Sequence, residues 1–190
     1  MNEQFSDFIA EAQTTLGTLA NLETTLDQGI RIILEALENG KKLLVCGNGG
    51  SASEAQHLVT ELVGRFRSNR QPLTALFLGG DASQITCIGN DFSWDDIFAR
   101  PLQGLGQPGD VLICFSTSGM SSNVVAVLKT AQEMGIPSIA FLGKGGGVAG
   151  PLATLSVVVN SDSTARIQEG HLFMLHWLCE HLEEKFPQGI

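Results

Sequence analysis

The sequence predicts an α/β fold, a parallel sheet wound with helices. Short apolar runs recur after residue 40, and segments of helical composition separate them. The runs are continuously apolar, as is typical of strands that are buried on both faces of a parallel sheet. We predict five strands, over residues 43–46, 73–78, 111–115, 138–142 and 155–159.

Two helices are predicted before the first strand. The apolar residues within 2–39 have helical spacing, as in Ile33 and Leu37, and the stretch stops at an Asn-Gly pair, a usual helix C-terminal signal. We expect these helices, in residues 1–40, to pack on the core or on a subunit interface. Residues 41–190 form the rest of one structural unit, because no linker, repeat or low-complexity tract interrupts them.

The last predicted helix, residues 166–185, is apolar around nearly its whole circumference. Its apolar residues include Leu172, Phe173, Met174 and Leu175, which are consecutive and therefore point in all directions. A helix that is hydrophobic all round is buried. We expect this helix to lie between the subunits of a homo-oligomer.

Composition excludes several classes of protein. Of the 190 residues, 43% are hydrophobic and 16% are charged, which argues against a disordered chain, a collagen and a long solvated coiled coil. The formal net charge is −9, and no basic run is longer than Lys41-Lys42. The sequence therefore lacks the broad positive surface that nucleic-acid binders need, and no nucleic-acid partner is expected.

The sequence favours a cytoplasmic setting. The chain begins without a basic and then apolar leader, and no stretch approaches about eighteen unbroken apolar residues, so we expect no membrane partner. The cysteines are far apart and form no CxxC pair, which favours buried reduced thiols over a disulfide framework or a cysteine zinc site. They are Cys46, Cys87, Cys114 and Cys179.

Two loops have the composition of a phosphate site. Residues 47–51 (Gly-Asn-Gly-Gly-Ser) follow the first strand, and residues 116–121 (Ser-Thr-Ser-Gly-Met-Ser) follow the third. Glycines permit close backbone approach, and hydroxyls with free amides form an anion nest. Each loop alone could be only a tight turn, and neither matches a dinucleotide or P-loop spacing. A third loop, residues 143–147, has no hydroxyls, and we interpret it as a flexible turn.

Four motifs together resemble the sugar isomerase (SIS) domain family, and within it the phosphoheptose isomerases. The resemblance spans residues 40 to 185 and rests on the two loops above, on Gly-Asn-Asp-Phe at 89–92 and on Arg-Ile-Gln-Glu at 166–169. It implies a single domain with a five-stranded parallel sheet in a three-layer α/β/α arrangement, a sugar-phosphate site within residues 41–190, and a homotetramer. It also implies conversion of D-sedoheptulose 7-phosphate to D-glycero-D-manno-heptose 7-phosphate, the first step towards nucleotide-activated heptose for surface glycans.

The resemblance also implies a ligand set. One zinc ion per subunit would be held by His57, Glu61, Gln168 and His176. Many members carry an acidic residue where this chain has Ala165, which affects a substrate or proton-transfer contact. Besides Glu61 and Gln168, the implied substrate contacts are Asn48, Gly49, Gly50, Ser51, Asn90, Asp91, Ser116, Thr117, Ser118 and Ser121.

The residues themselves leave alternatives to this ligand set open. His57 and Glu61 are four apart and share a helix face, so they could grip one ion or form a solvated pair. Gln168 is in line with apolar residues, where an amide needs a partner, although an amide at a helix start could also bond to backbone. His171 and His181 are interpreted as flanking or exposed.

Isomerisation between an aldose and a ketose explains why these residue types would be needed. The reaction moves a proton between adjacent carbons through an enediol, which requires a base, a group that manages the oxygen proton and a stabiliser of the oxyanion. We assign Glu61 as the base and His176 as its partner. Zinc is expected to orient the substrate and to polarise its carbonyl group. Gln168 and His176 are separated by about 12 Å of helix rise, so different subunits are the easier donors to one metal.

Two other functions remain open at this point. A catalytically silent SIS protein of the replication-initiator-binding type would act by protein–protein contact, and we expect it to lack the carboxylate and the final imidazole of the ligand set. This chain has both, as Glu61 and His176. A sugar-phosphate sensor would normally be joined to a DNA-binding helix-turn-helix, for which 190 residues with net charge −9 leave no room.

Overall fold

The computed structural model describes residues 4–186, and residues 2 and 3 of the predicted N-terminal helices lie outside this range. Helix α1 (Phe5–Thr18) and helix α2 (Glu23–Glu38) precede the first strand and are joined by a short 3-10 turn. Helix α2 ends at Asn39, where Gly40 takes a left-handed conformation, as the Asn-Gly signal predicts.

Five parallel strands form one sheet, which confirms the predicted fold class. The second strand pairs only with the first and is shorter than the six-residue run predicted for it, because it lies at the edge of the sheet. The strands are β1 (Leu43–Gly47), β2 (Ala75–Phe77), β3 (Val111–Ser116), β4 (Ser138–Leu142) and β5 (Leu155–Val158). Their order across the sheet is β2-β1-β3-β4-β5.

Helices cover both faces of the sheet and complete three layers. After α1 and α2 the helices are α3 (Gly50–Val63), α4 (Ala82–Asp91), α5 (Asp96–Leu105), α6 (Ser122–Glu133) and α7 (Thr164–Lys185). Alternate strand residues enter two separate hydrophobic clusters: Leu43 and Val45 pack with α2, α3 and α7, whereas Leu44 and Cys46 pack with α5 and α6. Each strand is therefore apolar on both faces, which accounts for the continuous apolar runs.

Helix α7 is only partly covered in the single chain, where Phe173 is 57% exposed and Leu172 is also exposed. Its expected place between subunits stays a prediction. His171, which was interpreted as flanking or exposed, is completely buried. The interpretation was wrong because the face of α7 that packs on the sheet includes position 171, three residues after Gln168.

Three of the four cysteines are buried, and the expectation for the fourth was wrong. Cys87 is exposed because α4 turns only Ile88 fully into the core. The thiols of Cys46 and Cys114 face each other at 3.4 Å on adjacent strands, and all four cysteines are free. Burial raises the pKa of Cys114 well above its usual value and that of Cys179 to about 12, so these thiols stay protonated.

Among residues 4–186, no helix is both long enough and apolar enough to cross a bilayer.

Candidate active site

The candidate site lies at the switch point of the sheet. Strands β1 and β3 are neighbours, and the chain continues from β1 to one edge and from β3 towards the other. In open parallel sheets, ligands bind in the crevice that this reversal opens beyond the carboxyl ends of the strands. The loops of residues 47–51 and 116–121 follow β1 and β3, so the two loops with phosphate-site composition flank this crevice.

The first loop is a tight turn that requires glycine at two positions. Gly49 has a φ of 56°, in the left-handed region. A Cβ at Gly47 would come within 2.5 Å of the carbonyl oxygen of Ser51. The turn brings Gly50 and Ser51 to the start of α3, where backbone N–H groups have no partner inside the helix and carry positive partial charge.

Six of the predicted substrate contacts line one small cavity of about 130 Å³. Two larger cavities lie elsewhere: one of about 430 Å³ is mainly apolar and borders α1, α2 and α7, and one of about 510 Å³ lies at the amino ends of the strands. The concentration of hydroxyl groups favours the small cavity as the phosphate site. Its lining comprises Asn48, Ser51, Phe115, Ser116, Thr117, Ser118 and Ser121.

A pair of amides ties the two loops together. The side chains of Asn48 and Asn123 exchange two hydrogen bonds, of 2.8 and 2.9 Å. Asn123 is 1% exposed and lies in the first turn of α6. Asn123 is not among the predicted site residues, although its amide, at the start of the helix after the hydroxyl-rich loop, was an available signal. Asn123 therefore fixes the orientation of Asn48 over the cavity.

The hydroxyl groups of the second loop have different partners. Ser116 Oγ accepts a hydrogen bond from the backbone N–H of Gly119, and Ser118 Oγ accepts one from Met120. Ser121 is the N-cap residue of α6, yet within the described residues its side chain makes no capping bond. The Ser121 hydroxyl is therefore able both to donate to a ligand and to accept from it, while those of Ser116 and Ser118 can still donate their own hydrogen.

The loop of residues 143–147 packs against the hydroxyl-rich loop of residues 116–121. A Cβ at Gly147 would come within 2.6 Å of the carbonyl oxygen of Ser118, and the backbone N–H of Ala149 donates to the Gly119 carbonyl at 2.9 Å. Residues 143–147 were interpreted as a flexible turn; the structure packs them directly against the hydroxyl-rich loop. The glycines of this loop allow its backbone to approach the backbone of the hydroxyl-rich loop closely.

Gln168 lies over the start of α3. A methyl group added at Gly50 would overlap the amide nitrogen of Gln168, so these two residues are in direct contact. The Gln168 side chain is only partly buried. The amide therefore belongs to the edge of the phosphate loop in its own chain and not to the interior of the apolar stripe.

Gly50→Ala is expected to push the Gln168 amide aside and to lower kcat/KM at least about tenfold, since small displacements at an active site are costly. Steady-state kinetics and thermal unfolding would measure this effect. The matched control is Gly104→Ala at an exposed position of α5, where no described atom lies within 4 Å of the new methyl group. Equal activity of both variants would contradict a role for the Gly50–Gln168 contact.

Three predicted ligands meet further along α3 and α7. His57 Nε2 and Glu61 Oε1 are 2.9 Å apart, and the ring centroids of His57 and His176 are 5.1 Å apart. Phe66 stacks against His176 at 5.8 Å, and the buried Arg70 donates to the Glu61 backbone carbonyl at 2.6 Å, which holds the end of α3. We call His57, Glu61 and His176 the imidazole–carboxylate cluster. It remains partly open to solvent, with the His57 side chain 37% exposed.

Asn90 and Asp91 are not brought into the cavity. They lie exposed at the end of α4, where Asn90 Nδ2 donates to Asp91 Oδ1 at 2.7 Å. A role for them in substrate binding therefore stays a prediction.

The donor set fits a zinc ion by its chemistry. Two imidazoles and a carboxylate are adjacent in the cluster, and zinc accepts nitrogen and oxygen ligands of these types. Across residues 4–186 no three His, Cys, Asp or Glu side chains converge closely enough to form a cage by themselves. Gln168 contacts Gly50, seven residues before His57 on α3, so it lies apart from the cluster of its own chain.

Comparisons with known proteins agree with this geometry. The SIS domain family matches residues 7–143. Phosphoheptose isomerase of Campylobacter concisus is 45% identical over 174 residues, which cover 92% of each chain, and that of Helicobacter pylori strain P12 is 42% identical over 180 residues, which cover 95% of this chain and 94% of the relative. The solved structure of phosphoheptose isomerase from Neisseria gonorrhoeae is 35% identical, covers 95% of this chain and 97% of its own, and superposes with a TM-score of 0.90.

These similarities cover nearly the whole chain, and they include the loops and helices that form the candidate site. The chain therefore belongs to the SIS domain family and, within it, to the phosphoheptose isomerases.

Proposed function

We propose that this enzyme interconverts D-sedoheptulose 7-phosphate and D-glycero-D-manno-heptose 7-phosphate. The observation that carries the proposal is the pairing of two unlike features: a hydroxyl-lined cavity at the switch point, and an imidazole–carboxylate cluster formed by the later turns of α3 with α7. An isomerase of a phosphorylated sugar needs both an anion site and an acid–base site. A silent binding protein would need neither base nor imidazole.

The phosphate group is proposed to bind in the 130 Å³ cavity. Backbone N–H groups at the start of α3 and α6 and the Ser121 hydroxyl would donate to its oxygens. None of the seven described residues that line the cavity is cationic. Binding is therefore proposed to depend on hydrogen bonds and helix N-termini rather than on a salt bridge.

The chemical step is proposed to involve the cluster. Glu61 removes the proton from the carbon next to the carbonyl, which gives an enediol, and returns it to the adjacent carbon. His176 moves the proton between the two oxygens. His57 bonds to Glu61 at 2.9 Å and orients the carboxylate. A zinc ion held by His57, Glu61, Gln168 and His176 would supply Lewis acidity for the developing oxyanion.

The direct test is to incubate the purified protein with sedoheptulose 7-phosphate and to follow aldose formation by NMR. Sedoheptulose without phosphate is the matched control, and we expect it to react far more slowly. A parallel sample treated with a chelator and then resupplied with zinc tests the metal. A lack of aldose signal from zinc-loaded protein would contradict the proposed activity, and undiminished activity after complete zinc removal would contradict the metal.

Ser121→Ala is expected to raise KM for the sugar phosphate about tenfold and to change kcat less than about twofold. A hydrogen bond to a charged group contributes about 1.5–3 kcal/mol, and a remote phosphate binds the ground and transition states alike. Ser116→Ala should raise KM and also lower thermal stability, because Ser116 Oγ accepts from Gly119. The control is Ser83→Ala at the exposed start of α4. Unchanged KM in both loop variants would exclude this cavity as the phosphate site.

A further inference from the structure

A buried polar pair lies between the two parts of the site and has no role in the reaction described above. Glu54 on α3 is 8% exposed and His171 on α7 is fully buried. Glu54 Oε2 lies 3.6 Å from His171 Nδ1. Among residues 4–186, the two carboxylate oxygens of Glu54 have no hydrogen-bond partner. The Nδ1 atom of His171 has none either. Buried polar atoms without partners are costly, so this arrangement calls for a reason.

The two side chains face each other at a distance longer than a hydrogen bond, so the proton at their contact is inferred from the other contacts of the ring. His171 Nε2 contacts the carbonyl oxygen of Leu142 at 3.2 Å, and a carbonyl only accepts, so Nε2 carries a hydrogen. If Nδ1 were bare and Glu54 ionised, a lone pair would face a carboxylate in a dry interior. One of the two facing atoms therefore holds a proton, and the pair as a whole is neutral. This neutrality suits its position one turn after Gly50 and Ser51, at the start of the helix proposed to bind phosphate.

His171 also contacts the strands that lead into the site. Its ring packs edge-on against Phe115 and Phe141, with centroid separations of 5.8 and 6.2 Å. Phe115 immediately precedes the hydroxyl-rich loop, and Leu142 ends β4. A single imidazole thus connects α7, α3 and the carboxyl ends of two central strands.

The pair occupies the middle of a row of contacts between α3 and α7. At one end Gly50 meets Gln168, and at the other end the ring of His57 meets that of His176. Glu54 and His171 lie between these contacts on both helices. The relative position of α3 and α7 therefore sets both the phosphate loop and the imidazole–carboxylate cluster.

We propose that Glu54 and His171 are positioning residues for the isomerisation, and that their buried polar contact, which carries one proton, holds α3 and α7 in the register that the active site needs. The inference rests on the proposed function for its kinetic consequences. Its structural content, the proton at this contact, can be measured without any substrate.

The kinetic test compares substitutions that keep or remove the polar contact. Glu54→Leu and His171→Leu should each lower kcat at least about tenfold, and the double variant should be no worse than the worse single variant, because residues that act as a unit are not additive. Glu54→Gln should stay within about threefold of the wild type, since its amide can donate to Nδ1. The control is Gln56→Leu on the exposed side of α3.

The substrate-free test is long-range 1H–15N NMR of the His171 ring. In the wild type we expect a protonated Nε2 and an Nδ1 that either carries a hydrogen or accepts a hydrogen bond. In Glu54→Gln we expect Nδ1 to accept a hydrogen bond, and in Glu54→Leu we expect an Nδ1 with neither a hydrogen nor a hydrogen bond. An Nδ1 of this last kind in the wild type would overturn the inference, as would Glu54→Gln with kcat as low as Glu54→Leu, or Glu54→Leu with wild-type kcat. Inactive wild-type protein would instead contradict the proposed function, and the NMR result would still decide the inference.

Discussion

Glu61→Gln is expected to lower kcat by at least about 10²-fold with the fold intact, because general base catalysis contributes about 10²–10⁴-fold. The amide matches the carboxylate in size and can keep the contact to His57 that is now 2.9 Å long. It cannot accept a proton from carbon. Steady-state kinetics on sedoheptulose 7-phosphate, together with circular dichroism and thermal unfolding, would measure both parts of the expectation.

The two roles proposed for Glu61 can be separated in the same variant. If the carboxylate is the base, kcat falls while the zinc content measured after dialysis stays close to that of the wild type. If it acts only as a ligand, zinc content and kcat fall together and excess zinc restores activity. Glu184→Gln, at the exposed end of α7, is the matched control. A Glu61→Gln enzyme with wild-type kcat would remove Glu61 from catalysis.

The sheet and the phosphate loops could be predicted from the sequence because their signals are local. Continuous apolar runs identify strands covered on both faces, and all five were found in the sheet. Gly47 and Gly49 are needed by the turn itself, so their spacing already indicates a close backbone approach. The short β2 was less predictable, since an edge strand has one pairing partner instead of two.

Contacts between distant segments could not be predicted in this way. His171 was judged by its position on one helix, yet its burial depends on Phe115, Phe141 and Glu54, which come from three other elements. Asn123 owes its role to a partner 75 residues away. Helical spacing indicates which side chains share a face, but it does not show which element covers that face.

The division of the active site between subunits also changes once the contacts are known. The helix spacing alone predicts that Gln168 and His176 come from different chains. Within one chain the ring of His176 adjoins His57, while Gln168 adjoins Gly50. These contacts lie about 12 Å apart along α7. We therefore propose that one subunit supplies the imidazole–carboxylate cluster and a neighbour supplies Gln168 together with its phosphate loop.

The exposed apolar residues of α7 are consistent with such a neighbour. Phe173 is 57% exposed in the single chain, and the mainly apolar cavity of about 430 Å³ lies beside it. Large exposed apolar surface marks interaction sites. We propose a homo-oligomer, a tetramer by resemblance to the family, in which this surface is covered. Phe173→Asp should then give smaller particles by sedimentation and lose activity in parallel.

Mixing inactive variants tests the shared site, with two arms that differ in one residue. After subunit exchange, Glu61→Gln mixed with Gln168→Ala should recover about one quarter of wild-type activity, because random pairing places an intact cluster beside an intact Gln168 in that share of sites. Glu61→Gln mixed with His176→Ala should stay inactive, since both residues belong to one chain's cluster. Recovery in the second arm alone would reverse the assignment of donors. No recovery in either arm, or a fully active monomer, would show that each chain forms its own site, with the sugar phosphate spanning from the loop to the cluster of the same subunit.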